Sequence, residues 1–227
     1  MFPCKLVCYA LSLVLMYSGS SRVQGQLIRD ANADFVPNVS NPNGVWSYGY
    51  TTVLGGSFVQ HLEYATSSNG FAWLTNQSLG APSFGKITNF AQNGIQPGQT
   101  FLHGGPGGEF AVLRFTAQTS NIYNLFAEYF TGDSGNTDAH ILLNSNVVSQ
   151  LFQTPSTTGG GTFSQNGLSL ASGDTVDFSL GTGGDGFSFD STPMNMIFST
   201  SAVPEPGVCL LFAIAASTVL SPRRRRK

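Results

Sequence analysis

The sequence predicts an all-β protein, a two-sheet β-sandwich of jelly-roll-like form, over most of its 227 residues. Three observations predict this fold. Apolar and polar residues alternate with a period of two in many short segments, whereas the region between the two chain ends sustains no helical period. Turn-forming Gly, Asn and Asp residues separate these segments. An open sheet with crossover helices is excluded because helical segments are missing.

The alternation is clearest in the segment 110–117, "FAVLRFTA", which places Ala111, Leu113 and Phe115 on one face and Arg114 on the other. The segments 122–130 and 174–180 alternate in the same way, so each is predicted to be a half-buried strand. Six further strands are predicted at 45–54, 57–66, 70–75, 139–143, 162–170 and 194–200.

The N-terminus has the pattern of an export signal. Lys5 precedes an apolar core at 6–17, and the small residue Gly25 precedes Gln26. This pattern predicts a signal peptide of residues 1–25 that is cleaved between Gly25 and Gln26. The alternative is a membrane anchor that is retained, but the apolar run is shorter than the roughly 20 residues that a spanning helix needs.

The predicted central domain, residues 26–202, is acidic and free of cysteine. Its only cations are Arg29, Lys86 and Arg114, against eleven acidic residues. Such a charge repels phosphate groups, so no nucleic acid partner is expected. All three cysteines of the chain lie outside 26–202. The domain is therefore expected to fold without disulfides, which its length allows.

No motif of hydrolytic catalysis is present in the central domain. The three glutamates and the aspartates show no spacing that selects a catalytic pair, and no G-x-S-x-G sequence occurs. The three histidines lie about forty residues apart, without metal-ligand spacing; they are His61, His103 and His140. No catalytic residue is predicted, and a secreted glycan-active hydrolase is the competing hypothesis.

Two weaker patterns suggest ligands. Trp46 and Trp73 are the candidate residues for stacking on a sugar, and the alternative is that both pack within strands. The glycine-rich loop 181–192 contains the potential calcium ligands Asp185 and Asp190. Asp190 could bind a structural calcium ion together with an N-terminal acid such as Asp30 or Asp34. The alternative for that loop is a surface hairpin, and no other cofactor is predicted.

The C-terminal segment 203–227, "VPEPGVCLLFAIAASTVLSPRRRRK", combines three features in a fixed order. The tripeptide Pro204, Glu205 and Pro206 is followed by an apolar run at 208–220 and then by five cations. Those cations are Arg223, Arg224, Arg225, Arg226 and Lys227. Thirteen residues of helix span only about 20 Å of a hydrocarbon core roughly 30 Å thick, which suits a temporary membrane hold rather than a permanent span.

This segment resembles the PEP-CTERM sorting signal of exported bacterial proteins. The resemblance implies that an exosortase, a membrane-embedded cysteine transpeptidase, recognises and processes the chain at Pro204 to Pro206. It also implies a host that makes extracellular polysaccharide. The cations would stay on the cytoplasmic side, as the positive-inside rule requires. The expected location is the membrane before processing and the cell surface or extracellular matrix afterwards.

A second resemblance covers much of the central domain. The segments 41–50, 102–130, 170–181 and 189–192 are similar to a β-sandwich domain found in many proteins that carry this sorting signal. Members of that group more often have "LHPG" where this chain has "LHGG" at 102–105. The resemblance supports the sandwich fold. The expected role of the domain is binding or structural, and the candidate ligand is extracellular polysaccharide.

Overall fold

The computed structural model describes residues 26–200, so the predicted signal peptide and the sorting segment 203–227 lie outside the described residues. In chain order the elements are β1 (Ile28–Asp30), α1 (Ala31–Asp34), β2 (Trp46–Thr51), β3 (Val59–Gln60), β4 (Glu63–Ser67), β5 (Gly70–Leu74), β6 (Ser83–Ile87), β7 (Thr100–His103), β8 (Phe110–Thr116), β9 (Asn121–Tyr129), β10 (Ala139–Leu143), β11 (Phe152–Thr154), β12 (Gly161–Leu170), β13 (Thr175–Leu180) and β14 (Thr192–Thr200).

The strands form two antiparallel sheets. The eight-stranded sheet has the order β12-β9-β14-β7-β6-β5-β4, with β1 also paired to β14. The six-stranded sheet has the order β11-β10-β13-β8-β2-β3. From β7 to β10 and again from β11 to β14, consecutive strands alternate between the two sheets, as in a jelly roll. The predicted fold class, an all-β two-sheet sandwich of jelly-roll-like form, is therefore confirmed.

The core between the sheets is built from the faces that the alternation predicted. The ring of Phe115 from β8 stacks on Phe198 from β14 with centroids 3.8 Å apart. Trp46 from β2 meets Phe115 at 5.4 Å, and Phe178 from β13 meets Phe198 at 6.0 Å. All four side chains are at most 1% exposed. Offset and edge-on aromatic pairs of this kind add stability beyond the area they bury.

The prediction of a single strand at 57–66 is wrong, because this segment forms two short strands that belong to different sheets. β3 pairs with β2 in the six-stranded sheet, and β4 pairs with β5 in the other. Between them lies His61, which is 1% exposed and whose Nδ1 contacts the hydroxyl of Thr75 at 2.8 Å. The chain therefore crosses from one sheet to the other at a buried polar residue.

Four strands and one helical turn were not predicted: β1, β6, β7, β11 and α1. The helical turn begins after Asp30, whose carboxylate accepts hydrogen bonds from the backbone N–H groups of Asn32 and Ala33. This is ordinary N-capping by an aspartate. A four-residue helix is too short to show a 3.6-residue period, so the sequence pattern could not reveal it.

Candidate ligand cleft

A cleft of about 610 Å³ lies at one end of the six-stranded sheet. Because the strands are antiparallel, the starts of β8 and β10 meet the ends of β11 and β13 at this end, with Ala139 paired to both Thr154 and Leu180. The volume lies in the range of small-ligand sites. The lining residues are Gly108, Phe110, Asp138, His140, Gln153, Thr154, Pro155, Thr182, Gly183 and Gly184.

An ion pair forms the polar wall of the cleft. His140 Nε2 donates to Asp138 Oδ2 at 2.8 Å, and His140 Nδ1 donates to Gln150 Oε1 at 2.7 Å. The second carboxylate oxygen of Asp138 accepts the backbone N–H of Gly183 at 2.9 Å. Because both ring nitrogens lie within hydrogen-bond distance of side-chain oxygens, the arrangement favours the doubly protonated, cationic form of the ring. The pair therefore ties β10 to the loop after β13.

The pKa values of the two groups shift in opposite directions. Burial alone would lower the pKa of His140, but its hydrogen bonds to Asp138 and Gln150 outweigh burial and raise that pKa above its usual value. Burial alone would raise the pKa of Asp138, but the hydrogen bonds from His140 and Gly183 outweigh burial and lower it. Each partner thus stabilises the charged form of the other.

The open side of the cleft combines an aromatic ring with neutral polar groups. The partly exposed ring of Phe110 meets the His140 ring edge-to-face, with centroids 5.9 Å apart. The amide of Gln153 is exposed, and Thr154 and Thr182 are half-buried. An apolar ring face beside amide, carboxylate and hydroxyl groups suits a ligand that has both C–H surfaces and hydroxyl groups.

The structure places Trp46 in the core rather than at a binding surface. Its side chain is 1% exposed, and its indole N–H donates to Asp34 Oδ2 at 2.9 Å. A ring that is packed against Phe115 and Phe198 offers no face to a sugar. For Trp46 the packing alternative is the correct one.

Trp73 on β5 is neither fully buried nor fully exposed. Its ring lies 5.2 Å from that of Tyr64 on the neighbouring strand β4. The residue is half-buried, and its Nε1 atom is buried without a hydrogen-bond partner among the described residues. The cross-strand aromatic pair explains why this residue stands at this position. Trp73 does not line the cleft.

The two predicted calcium ligands have different surroundings. The Asp34 carboxylate already accepts a hydrogen bond from the Trp46 indole N–H. Asp190 is 1% exposed, and neither of its carboxylate oxygens has a partner among the described residues. Burial, followed by the charges of nearby aspartates, raises the pKa of Asp190 to about 7. Within residues 26–200 no group of three or more His, Cys, Asp and Glu residues is arranged to hold a metal ion.

The three histidines do not form a cluster, as their spacing indicated. His61 contacts Thr75, His103 contacts the carbonyl of Gly104, and His140 belongs to the cleft. Burial lowers the pKa of His61 to about 3, so this ring is neutral at physiological pH.

Sequence reasoning pointed to the loop 181–192, which lines one side of the cleft, but it proposed none of the ring, carboxylate and amide side chains of the cleft as ligand-binding residues. The residues concerned are Phe110, Asp138, His140, Gln150 and Gln153. One signal was available: Asp138 and His140 are separated by one residue at a strand start, which places both side chains on the same face. Among the predicted processing residues, Gln26 is the first described residue, whereas Gly25, Pro204, Glu205 and Pro206 lie outside the described range. No helix within residues 26–200 has the length and apolar character needed to cross a membrane.

Comparison with known proteins gives only partial structural similarity. No family model matches the chain, and no curated protein matches it. A β-(1,4)-mannanase with a family 35 carbohydrate-binding module from Podospora anserina superposes with a TM-score of 0.31 at 13% identity, over 81% of this chain and 29% of that one. This chain therefore spans less than a third of that enzyme's length.

Two isolated modules give similar values. A family 35 carbohydrate-binding module from Clostridium thermocellum has a TM-score of 0.31 at 14% identity, over 78% of this chain and 99% of that one. The module Xyl-CBM35, solved in complex with a disaccharide that contains glucuronic acid, has a TM-score of 0.28 at 15% identity, over 70% of this chain and 95% of that one. Superpositions this partial carry no argument about the cleft, so the fold assignment rests on the strand pairings.

Proposed function

We propose that this chain is an exported cell-surface or matrix protein whose β-sandwich is a non-catalytic module that binds carbohydrate in the cleft. The observation that carries the proposal is the lining of that cleft. Phe110 offers an apolar ring, while Asp138, Gln153 and the two threonines offer acceptors and donors for hydroxyl groups. The cleft is open to solvent at Gln153 and at the loop containing Gly184.

The chemistry of the cleft favours binding over hydrolysis. Glycosidases use two carboxyl groups about 5 to 10 Å apart. Among the residues that line the cleft, Asp138 is the one carboxylate, and it is already paired with His140. A histidine that acts as a general base needs a free ring nitrogen, whereas both nitrogens of His140 are hydrogen-bonded. A secreted glycan-active hydrolase is therefore the less favoured candidate.

The charge of the domain narrows the ligand class. Three cations stand against eleven acids between residues 26 and 200, so the domain repels polyanions. His140 does not reverse this, because its ring is paired with the Asp138 carboxylate. The preferred ligand is accordingly a neutral polysaccharide rather than one rich in uronic acid.

Binding is tested with an array of neutral and uronic-acid-containing polysaccharides, followed by titration of the strongest ligand. We expect weak binding to a neutral glycan that falls at least tenfold in Phe110→Ala and Gln153→Ala. Phe90→Ala is the matched control, because Phe90 is also an exposed phenylalanine, at 58%, but does not line the cleft. An array without any signal for the folded protein would leave only a structural role.

The proposed route to the surface rests on the two chain ends. The N-terminal signal would export the chain, and the segment 203–227 would hold it at the membrane until an exosortase cuts near Pro204 to Pro206. The support is the order of tripeptide, short apolar run and cations in the sequence. Mass spectrometry of the mature protein from its host should find no peptide from Val208 onward, and a host without active exosortase should retain that peptide. Intact tails in cells with active exosortase would contradict this route.

A further inference from the structure

Phe189 combines an exposed aromatic ring with a backbone conformation that bulky residues rarely adopt. It lies in the connection between β13 and β14, its φ is 67°, and at 63% it is the most exposed aromatic residue of the range 26–200. A left-handed backbone is an outlier for a bulky residue and costs free energy. The other non-glycine residues of this range with positive φ are small and polar, as turns favour: Asn38, Asn93, Asn144 and Ser145. Phe189 therefore carries two costs at one position, a strained backbone and an apolar ring in water.

The fold of the connection does not require a phenyl ring at this position. The ring of Phe187, two residues earlier, packs against His103, whereas Phe189 belongs to no ring pair among the described residues. The loop is held on either side of the ring by other groups: the Phe189 carbonyl accepts from the Gly135 N–H at 2.9 Å, and the next residue, Asp190, is buried. Glycine or asparagine would adopt the same backbone at lower cost. The ring must therefore contribute something other than local stability.

Phe189 lies beside the cleft. The β9–β10 and β13–β14 connections are hydrogen-bonded to each other at two places: the Gly183 N–H donates to Asp138 Oδ1 at 2.9 Å in the cleft wall, and the Gly135 N–H donates to Phe189. Gly135 precedes Asp138 by three positions, and three residues of extended chain span about 10 Å. Phe189 is thus held by a residue within about 10 Å of the cleft wall, although it does not line the cleft itself.

We propose that Phe189 is a second stacking residue for carbohydrate, so that the ligand is an extended neutral polysaccharide that contacts Phe110 in the cleft and Phe189 at its rim. This inference rests on the proposed function, because it lengthens the same site. An exposed ring offers its apolar face to the C–H surface of a sugar. Backbone strain that persists at an exposed position is typical of residues that contact a ligand. A short oligosaccharide reaches the cleft alone, whereas a longer one contacts both rings and gains affinity from the second contact.

The test is calorimetric titration of the purified protein with a length series, from disaccharide to hexasaccharide, prepared from the neutral polysaccharide that gives the strongest signal on the array. Affinity for the unaltered protein should rise with length. Phe189→Ala should lower the affinity for the longer members by about three- to tenfold and leave that for the disaccharide unchanged. Phe110→Ala should weaken binding of every member. Phe90→Ala, which removes a similarly exposed ring that does not line the cleft, should change none of them.

A second variant, Phe189→Asn, separates binding from stability. Asparagine adopts the left-handed conformation more readily than phenylalanine does. This variant should therefore keep or raise the thermal unfolding midpoint, and it should lose affinity for the longer oligosaccharides as Phe189→Ala does. A midpoint that falls by several degrees would show that the ring is packed for stability, which would contradict the proposal.

The outcomes distinguish the extended site from the function on which it rests. The extended site is overturned if affinity does not depend on length, or if Phe189→Ala binds the longer members normally while Phe110→Ala does not. Both of those results would leave binding in the cleft intact. An array without any signal for the folded protein would overturn the extended site and the proposed binding function together.

Discussion

Replacing Asp177 by Asn should destabilise the domain strongly, because Asp177 is the partner of a largely buried arginine. Asp177 on β13 lies directly opposite Arg114 on β8 and is 2% exposed. Its carboxylate accepts from Arg114 Nε at 2.6 Å, from Arg114 Nη2 at 2.8 Å and from the Ser145 hydroxyl at 3.1 Å. The guanidinium also lies 4.3 Å from the centre of the Phe58 ring. The arginine–carboxylate pair is thus bidentate, and the loop residues Ser145 and Phe58 lie beside it.

The expected magnitude follows from this burial. Breaking a buried ion pair costs about 3–5 kcal/mol, because the remaining charge stays desolvated. The Arg114 side chain is 19% exposed, so water relieves part of that cost and the lower end of the range applies. We expect Asp177→Asn to lose about 3 kcal/mol of unfolding free energy. For a domain of this size the midpoint should fall by about 6 to 12 °C.

The assay is urea unfolding followed by tryptophan fluorescence, with Asp177→Asn, Arg114→Gln and the double variant forming a double-mutant cycle. The double variant should be more stable than the sum of the single losses predicts, because removing both partners leaves no unpaired charge. Glu63→Gln, which removes a carboxylate from an edge strand, is the control for a change of net charge. A loss below about 0.5 kcal/mol in Asp177→Asn, the size of an ordinary surface effect, would refute the reasoning.

Three further predictions concern the cleft, the core and the cysteine-free domain. The raised pKa of His140 means that its contribution to stability is complete below the unfolded-state value near 6.5 and is lost as pH rises through the folded-state pKa. Unfolding midpoints measured from pH 6 to 9 should therefore converge between the unaltered protein and His140→Gln as pH rises, and a constant difference would contradict this. Trp46→Phe should cost about 2 kcal/mol in urea unfolding, since it removes the hydrogen bond to Asp34 and leaves a small cavity, and an unchanged midpoint would contradict that packing. Because all three cysteines lie outside residues 26–200, the unfolding midpoint of the domain should be the same with and without a reducing agent, and a drop with reductant would show a disulfide that the sequence does not predict.

The alternation of apolar and polar residues predicted the strands whose buried face is complete within one segment. It failed for strands whose packing is completed by a side chain of the adjacent strand. In β8, β9 and β13 the buried face is apolar at every second residue, so the pattern is complete within each segment. In β6 the pattern fails at Gly85, where the Phe101 ring of the adjacent strand β7 fills the space that a side chain would occupy. Because a side chain of β7 fills the gap in β6, neither strand shows the period of two in its own sequence.

The cleft could not be predicted because its residues come from four separate parts of the chain. Phe110 begins β8, Asp138 and His140 flank the start of β10, Gln153 lies in β11, and Gly183 follows β13. They meet only because β11, β10, β13 and β8 are neighbours in that order, with Ala139 in register with both Thr154 and Leu180. Sheet order depends on long-range pairing, which short-range sequence patterns do not contain.

The choice between Trp46 and Phe110 as the exposed aromatic depends on strand position rather than residue type. Trp46 and Tyr48 are two residues apart on β2 and share its inner face, so both are 1% exposed. The Trp46 ring packs against Phe115, and the Tyr48 ring packs against Phe84. Phe110 alternates with the buried residues Ala111 and Leu113 of β8, so it lies on the outer face of the six-stranded sheet and stays partly exposed beside His140. Tryptophan is the better stacking residue for a sugar, but burial decides which ring a ligand can reach. A search for binding aromatics in such sandwiches should therefore begin at strand ends that face glycine-rich loops.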